Sequence, residues 1–92
     1  MELLNRAISG TMESSDIMVE IIPWDKDLEI NLKSDVKEQF GKKIIALVKK
    51  IIDENGIEKA CINLNDKGAL DFVIKARVKT ALYRSSKGGS DE

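Results

Sequence analysis

The residues able to carry chemistry are few and cluster near the amino terminus. Glu13-Ser14-Ser15-Asp16 places two hydroxyls between two carboxylates. A serine hydroxyl can be esterified to phosphate, and for that it need only be reachable by a transferring enzyme. To act as a nucleophile in its own right it needs a base, and the chain contains no histidine. That removes the usual proton acceptor and the commonest metal ligand, and with them Ser-His and Cys-His pairs. Glu13 and Asp16 could act as acid and base only in a pocket, and neither pocket-forming bulk nor an activated nucleophile accompanies them. Their plainer role is to solvate a turn. Cys61 is the single cysteine, so no intrachain disulfide can form, and it reads as a small semi-buried residue rather than a reactive thiol. Asp66 and Asp71, two carboxylates without further placed oxygens, do not make a metal site, and no metal is expected.

Length and composition agree with a protein that does no catalysis alone. Ninety-two residues fit one domain, which at this size buries about two-thirds of its chain surface and leaves little room for a deep private site. Fifteen basic residues against sixteen acidic ones give a net charge of −1, without the positive excess that binding a nucleic-acid backbone requires. No apolar stretch approaches the roughly 18–20 residues of a membrane span. Residues 1–9 lack the basic start and continuous apolar segment of a secretory signal, because Glu2, Asn5 and Arg6 interrupt them, so a cytoplasmic location is expected.

The elements that must position Ser14 follow from periodicity. Residues 6–12 and 17–23 read as extended, with Ile17, Val19 and Ile21 recurring at period two, and the four small or polar residues 13–16 between them read as an exposed hairpin tip. Pro23 suits a strand end, and residues 24–27 make a short connection in which Trp24 is a packing residue rather than a ligand platform. Residues 28–33 alternate, with Leu28, Ile30 and Leu32 on one face and Glu29, Asn31 and Lys33 on the other. Ser34 is the expected N-cap of a helix over 35–54, ended by Asn55-Gly56, with Val36, Phe40, Ile44, Leu47, Val48, Ile51 and Ile52 on its inner stripe. Gly41 within it marks either close packing or a tolerated defect. The outer lysines read as a solvated face.

A strand over 59–65 follows, with Ala60, Ile62 and Leu64 inward and Cys61, Asn63 and Asn65 outward. Strand, helix, strand implies a right-handed crossover if the two strands are parallel neighbours. Asp66 is the expected cap of a final helix from 67 or 68 to about 84, with Leu70, Val73, Ile74, Ala81 and Leu82 inward and Arg77 and Val78 between these inner turns. The stretch Asp66 to Asp71 could alternatively be a docking surface for larger subunits. The expected fold is α+β, a two-layer sandwich in which a small mixed sheet of about four strands, with an N-terminal hairpin or meander, carries two helices on one face. Residues 1–84 form the domain, and 85–92 form a disordered tail of serine, glycine and charge. Such a domain should fold without any attached group.

An exposed serine in a turn is common, and by itself Ser14 reads as a turn former. Gly10-Thr11-Met12-Glu13-Ser14-Ser15-Asp16-Ile17-Met18, however, resembles the amino-terminal signature of the citrate lyase acyl carrier (gamma) subunit family, in which the serine after the glutamate takes the prosthetic group. Many members have glycine where this chain has Ser15, so Ser15 is a second candidate hydroxyl. Val36-Lys37-Glu38-Gln39-Phe40-Gly41, then Asn63-Leu64-Asn65-Asp66-Lys67-Gly68-Ala69-Leu70-Asp71 and Ile74-Lys75-Ala76-Arg77, are also similar to this family. In order, the blocks cover residues from about 7 to 84.

The resemblance implies a phosphodiester-linked 2'-(5''-phosphoribosyl)-3'-dephospho-CoA on Ser14, a phosphoribosyl dephospho-coenzyme A. Its thiol would carry acetyl and then citryl as a thioester while citrate is cleaved to acetate and oxaloacetate. It implies as partners an alpha subunit (acyl transferase), a beta subunit (citryl lyase) and the prosthetic-group transferase, which could read Glu13 and Asp16. The malonate decarboxylase carrier subunit is the nearest alternative. A non-covalent binding module using the wet sheet face of Glu29, Asn31, Lys33 and Asn63 is another. The layout differs from fatty-acid carriers, in which Asp-Ser-Leu opens a helix, because strand residues follow Ser14 here.

Overall fold

The computed structural model describes residues 1–86. The elements run β1 (Ala7–Ser9), β2 (Ile17–Ile22), β3 (Glu29–Ser34), α1 (Lys37–Glu54), β4 (Cys61–Asp66) and α2 (Asp71–Ser86). The four strands form one mixed sheet in the order β1-β2-β4-β3. β1 pairs antiparallel with β2, and β2 antiparallel with β4, while β3 and β4 run parallel. The expected α+β class, the hairpin and the β3-α1-β4 crossover therefore stand. The three N-terminal strands do not form a continuous meander, because β4 lies between β2 and β3 and takes the ladder of both. Its long apolar alternation suits that central place better than β3, whose residues are mostly open to solvent.

Period-two alternation divides the sheet into two faces. Ile17, Val19 and Ile21 of β2 and Ile62 and Leu64 of β4 are buried beneath the helices, with Leu32 of β3. α1 supplies Ile44, Val48, Ile51 and Ile52 to the same cluster, and α2 supplies Ile74, Val78, Ala81 and Leu82. Removing this apolar surface from water is the main driving force for the fold. The other face is polar and bonded across the strands: Asn63 Nδ2 donates to Glu20 Oε1 (2.9 Å), and Asn31 Nδ2 donates to Asn63 Oδ1 (2.9 Å) and Glu29 Oε2 (2.9 Å).

The helix starts differ from the sequence expectation. Ser34 does not cap α1; it is the last residue of β3, and α1 begins at Lys37 without a side-chain cap. Its hydroxyl accepts from the Val36 N–H (3.1 Å) and donates to Asp66 (2.9 Å), because the strand continues to its pairing with Asp66. Asp66 likewise ends β4, and its carboxylate holds a turn rather than a helix end, accepting from the Ala69 N–H (3.0 Å). Gly68 at φ +91° turns the chain out of the helical path, so α2 waits until Asp71. Two expected inner residues face out: Phe40 is 46% and Leu70 63% exposed. Both lie where the helices begin, beside the last register pair Ser34–Asp66, with no further strand among the described residues to cover them.

The remaining local readings are resolved by their contacts. A Cβ on Gly41 would crowd Lys37 Cγ of its own helix at 3.1 Å and meet Leu32 Cδ2 of β3 at an ordinary contact distance of 3.7 Å, so the buried Gly41 is a tolerated position rather than a demand of packing against β3. Trp24 Nε1 donates to the Asp27 carbonyl (3.2 Å) and closes its own connection. α2 runs through Ser85 and Ser86, two residues past the expected boundary. The buried Ser85 hydroxyl donates to the Asn5 carbonyl (2.6 Å), while its own carbonyl accepts from Leu4 (3.0 Å) and Asn5 (3.1 Å). The rest of the expected tail, 87–92, lies outside the described residues.

Gly10 joins β1 to the turn at φ +89°, and a Cβ there would lie 1.8 Å from the Ile17 carbonyl oxygen. Gly68 is also at positive φ but has open space around it. Gly10→Ala should therefore cost about 3 kcal/mol or more, from backbone strain plus a backbone collision, and Gly68→Ala only about 1 kcal/mol, from strain alone. Urea unfolding of both variants checks this, and equal losses would contradict the steric account.

Candidate functional site

Ser14 stands at the corner of the turn between β1 and β2. The turn is closed by the Asp16 N–H donating to the Glu13 carbonyl at 3.1 Å. Ser15, at its third position, has φ +67°. Positive φ at that position of a turn is a type II feature that favours glycine, which gives a physical reason for glycine to be an easy alternative to Ser15. Ser14 and Ser15 are both exposed, and neither hydroxyl bonds to a described residue.

The backbone separates the two serines. Ser15 N–H donates to the Lys67 carbonyl (2.8 Å), and Lys67 N–H donates to the Asp16 carbonyl (2.9 Å). These bonds extend the β2–β4 pairing past both strand ends and clamp Ser15 and Asp16 to the sheet. Ser14 is the projecting corner next to the clamp.

Asp16 does more than solvate the turn. It is 9% exposed, and its carboxylate gathers donors from three parts of the chain. Oδ2 accepts from the Thr11 N–H (3.1 Å) and hydroxyl (2.6 Å), and Oδ1 accepts from the Ile17 N–H (2.7 Å). Arg77 on α2 closes a two-pronged pair, with Nε on Oδ1 at 3.0 Å and Nη2 on Oδ2 at 2.8 Å. The Arg77 bonds and then the Thr11 hydroxyl, against the opposing cost of burial, hold the Asp16 carboxyl far below its ordinary range, and the same pair raises Arg77. Thr11 Oγ1 also accepts from the Glu13 N–H (3.1 Å), so the ascending arm of the loop is fixed as well.

Sequence reading placed Asp16 on the surface and left Arg77 without a role. The available signal was positional: Arg77 lies three residues after Ile74 and four before Ala81, within a stripe that is otherwise buried. Glu13, by contrast, is exposed as expected.

Asp66 organises the adjoining loops. It is 1% exposed and pairs with Ile17 in the sheet register, so the two aspartate-centred junctions are neighbours at one end of the sheet. Its oxygens are occupied by Ser34 and Ala69. Cys61 is buried on the polar face, where burial, followed by the nearby Glu29 and Glu20, pushes its thiol up and away from reactivity.

Comparison with known proteins gives consistent matches. A family model described as malonate decarboxylase delta subunit matches residues 4–85. The chain is 46% identical over 91 residues to the citrate lyase acyl carrier protein of Halothermothrix orenii, covering 99% of this chain and 97% of that one. It is 44% identical over 87 residues to the protein of that name from Treponema denticola, covering 95% of this chain and 99% of that one. Among solved structures, a chain of the Pseudomonas malonate decarboxylase hetero-tetramer in complex with malonate superposes with a TM-score of 0.76 at 22% identity, covering 87% of this chain and 82% of that one. At that identity the likeness is one of fold.

If Asp16 orders the turn by its charge, Asp16→Asn should cost about 1–2 kcal/mol at neutral pH, a value kept small because Arg77 is partly open to solvent. The folded-state pKa lies below the ordinary 3.8, so the ionised group stabilises fully above about pH 4, and that stability is lost as pH falls further. Urea unfolding at pH 7 and pH 3 should show the wild type losing more stability on acidification than Asp16→Asn. Parallel losses would remove Asp16 from this role.

Proposed function

The chain belongs to the citrate lyase acyl carrier protein family, and from that premise we propose that Ser14 is the attachment point of its covalent prosthetic group, a phosphoribosyl dephospho-coenzyme A. The chain is the acyl carrier subunit of a citrate lyase and performs no catalysis of its own. The observation that carries the assignment to Ser14 is its hydroxyl: exposed, unbonded, and set at the corner of a turn clamped to the sheet beside it.

The residues around Ser14 suit such a group. Attachment forms a bond from the serine oxygen to phosphorus, expels the leaving group of the activated precursor, and hands the hydroxyl proton to the transferring enzyme or to water. The carrier need supply only reach, which the corner provides. The new phosphodiester is an anion, and the carboxylate nearest in sequence on the strand side, Asp16, is already matched by Arg77. The opposing like charge is thereby reduced.

When bound, the group supplies the thiol that holds the acyl cargo, so the demanding chemistry rests with it and with the partner subunits. Tethering confines the cargo near those subunits at effective concentrations that reach about the millimolar range for short flexible links. A firmly held turn defines where that tether begins. The partners on this reading are the alpha and beta subunits of the lyase and the prosthetic-group transferase, in the cytoplasm; no helix among the described residues is long and apolar enough to cross a membrane.

The malonate decarboxylase alternative is less favoured: a family model of that description matches residues 4–85, but its solved relative shares 22% identity, whereas the relatives named citrate lyase acyl carrier protein share 40–46%. A non-covalent module acting through the open sheet face is also less favoured, since Glu20, Glu29, Asn31 and Asn63 already bond to one another across that face.

Incubation with the transferase and the activated precursor, followed by intact mass and peptide mapping, tests the assignment. Ser14→Ala should gain no group and give no lyase activity in the reconstituted complex, while Ser15→Ala should be modified at close to the wild-type yield. Both should fold, because neither hydroxyl bonds to a described residue. Full modification of Ser14→Ala, or a block in Ser15→Ala alone, would reassign the site.

A further inference from the structure

The starts of α1 and α2 enclose an open groove of about 650 Å³, lined by Val36 and Phe40 on one side and Ala69, Leu70 and Phe72 on the other. Its apolar residues are unusually open: Phe40 is 46%, Leu70 63% and Phe72 69% exposed. The core does not account for them, since the buried stripes run through Ile44 and Val48 on α1 and through Ile74 and Val78 on α2. A contiguous exposed patch containing two phenylalanines is the kind of surface that a partner covers.

Charge at the rim narrows the partner. Lys43 and Lys75 both line the groove, and neither forms an ion pair with a described residue. Of the two acids there, Asp66 is buried and bonded within its turn, which leaves Asp71. A second copy of this chain on the same groove would gather four lysines against only two Asp71 carboxylates around one apolar seam, a net like-charge excess that disfavours it. A surface presenting an apolar side chain flanked by carboxylates meets both features.

Position links the groove to Ser14. The loop leading into its α2 wall, Gly68 to Leu70, continues directly from Lys67, whose backbone is bonded in both directions to the turn, through Ser15 N–H and the Asp16 carbonyl. A partner seated in the groove would hold the corner of that turn at the margin of its own contact surface.

We propose that this groove is the surface by which the carrier docks on a catalytic subunit of its lyase complex, and that the docking element there is an apolar residue flanked by acidic side chains. The inference rests on the carrier reading and specifies the face it uses. Phe72 is the expected centre of the contact, with Leu70 and Phe40 around it, and Lys43 and Lys75 steering the approach.

Unmodified full-length carrier titrated against the purified catalytic subunits of the same organism's lyase tests it. Phe72→Ser, and separately Leu70→Ser, should weaken binding at least tenfold with an unchanged melting temperature, because both side chains are exposed. Lys43→Glu with Lys75→Glu should slow association and reduce its dependence on salt. If the wild type binds and both serine variants bind equally well, the docking face lies elsewhere while the carrier reading stands. If the wild type itself does not bind, the carrier reading fails, and this inference fails with it. Two further results would overturn the choice of occupant: a wild-type dimer that becomes monomeric in Phe72→Ser without loss of subunit binding, which assigns the groove to a second copy, or unchanged subunit binding with faster thioester hydrolysis on the loaded variant, which assigns it to the carrier's own arm.

Discussion

The Asp16 carboxylate is the point on which the turn that holds Ser14 depends. A nearly buried acid is costly unless its charge is met, and here donors from Thr11, Ile17 and Arg77 meet it. Thr11 belongs to the loop rising from β1, Ile17 opens β2, and Arg77 lies 61 residues away on α2. One side chain therefore fixes the hairpin tip on itself and on the helix layer. Gly10 makes the arrangement possible, because only a residue without Cβ can pass so close to the Ile17 carbonyl. With these constraints satisfied, Ser14 is left outside the network on a platform that cannot easily move.

A second aspartate does comparable work beside the first. Asp66 draws the end of β3 through Ser34 and the approach to α2 through Ala69. Because Ile17 and Asp66 are register partners, all three connections at this end of the sheet, β1–β2, β3–α1 and β4–α2, are anchored within a few residues of each other. The arrangement places an exposed turn on a packed scaffold, as functional loops generally require.

This organisation suits a subunit whose task is to present a group. Histidine is absent from the whole sequence, and the one thiol of the chain is buried on the polar sheet face with its acidity suppressed. A subunit that carries an acyl group for others gains from having few competing reactive groups of its own. On the proposed reading, specificity rests on where the tether starts and which surface meets the partner, and both belong to this end of the fold.

The periodic and local features were legible in the chain alone: extended segments near 17–23 and 59–65, the long helix, the polar turn holding Ser14, and the family motif around it. Alternation at period two and stripes at three and four are written in neighbouring residues and need no distant partner to be read. Tertiary packing was needed to bury Asp16, to bring Arg77 to it, to set β4 between β2 and β3, and to make Ser34 and Asp66 tie junctions instead of capping helices. It also decided that Phe40 and Leu70 stay open, since an apolar stripe shows which residues share a side but not where the sheet beneath them ends. Each of these outcomes depends on groups far apart in the chain, brought together by pairing and packing, and such long-range partners leave no period in the sequence from which they could be read.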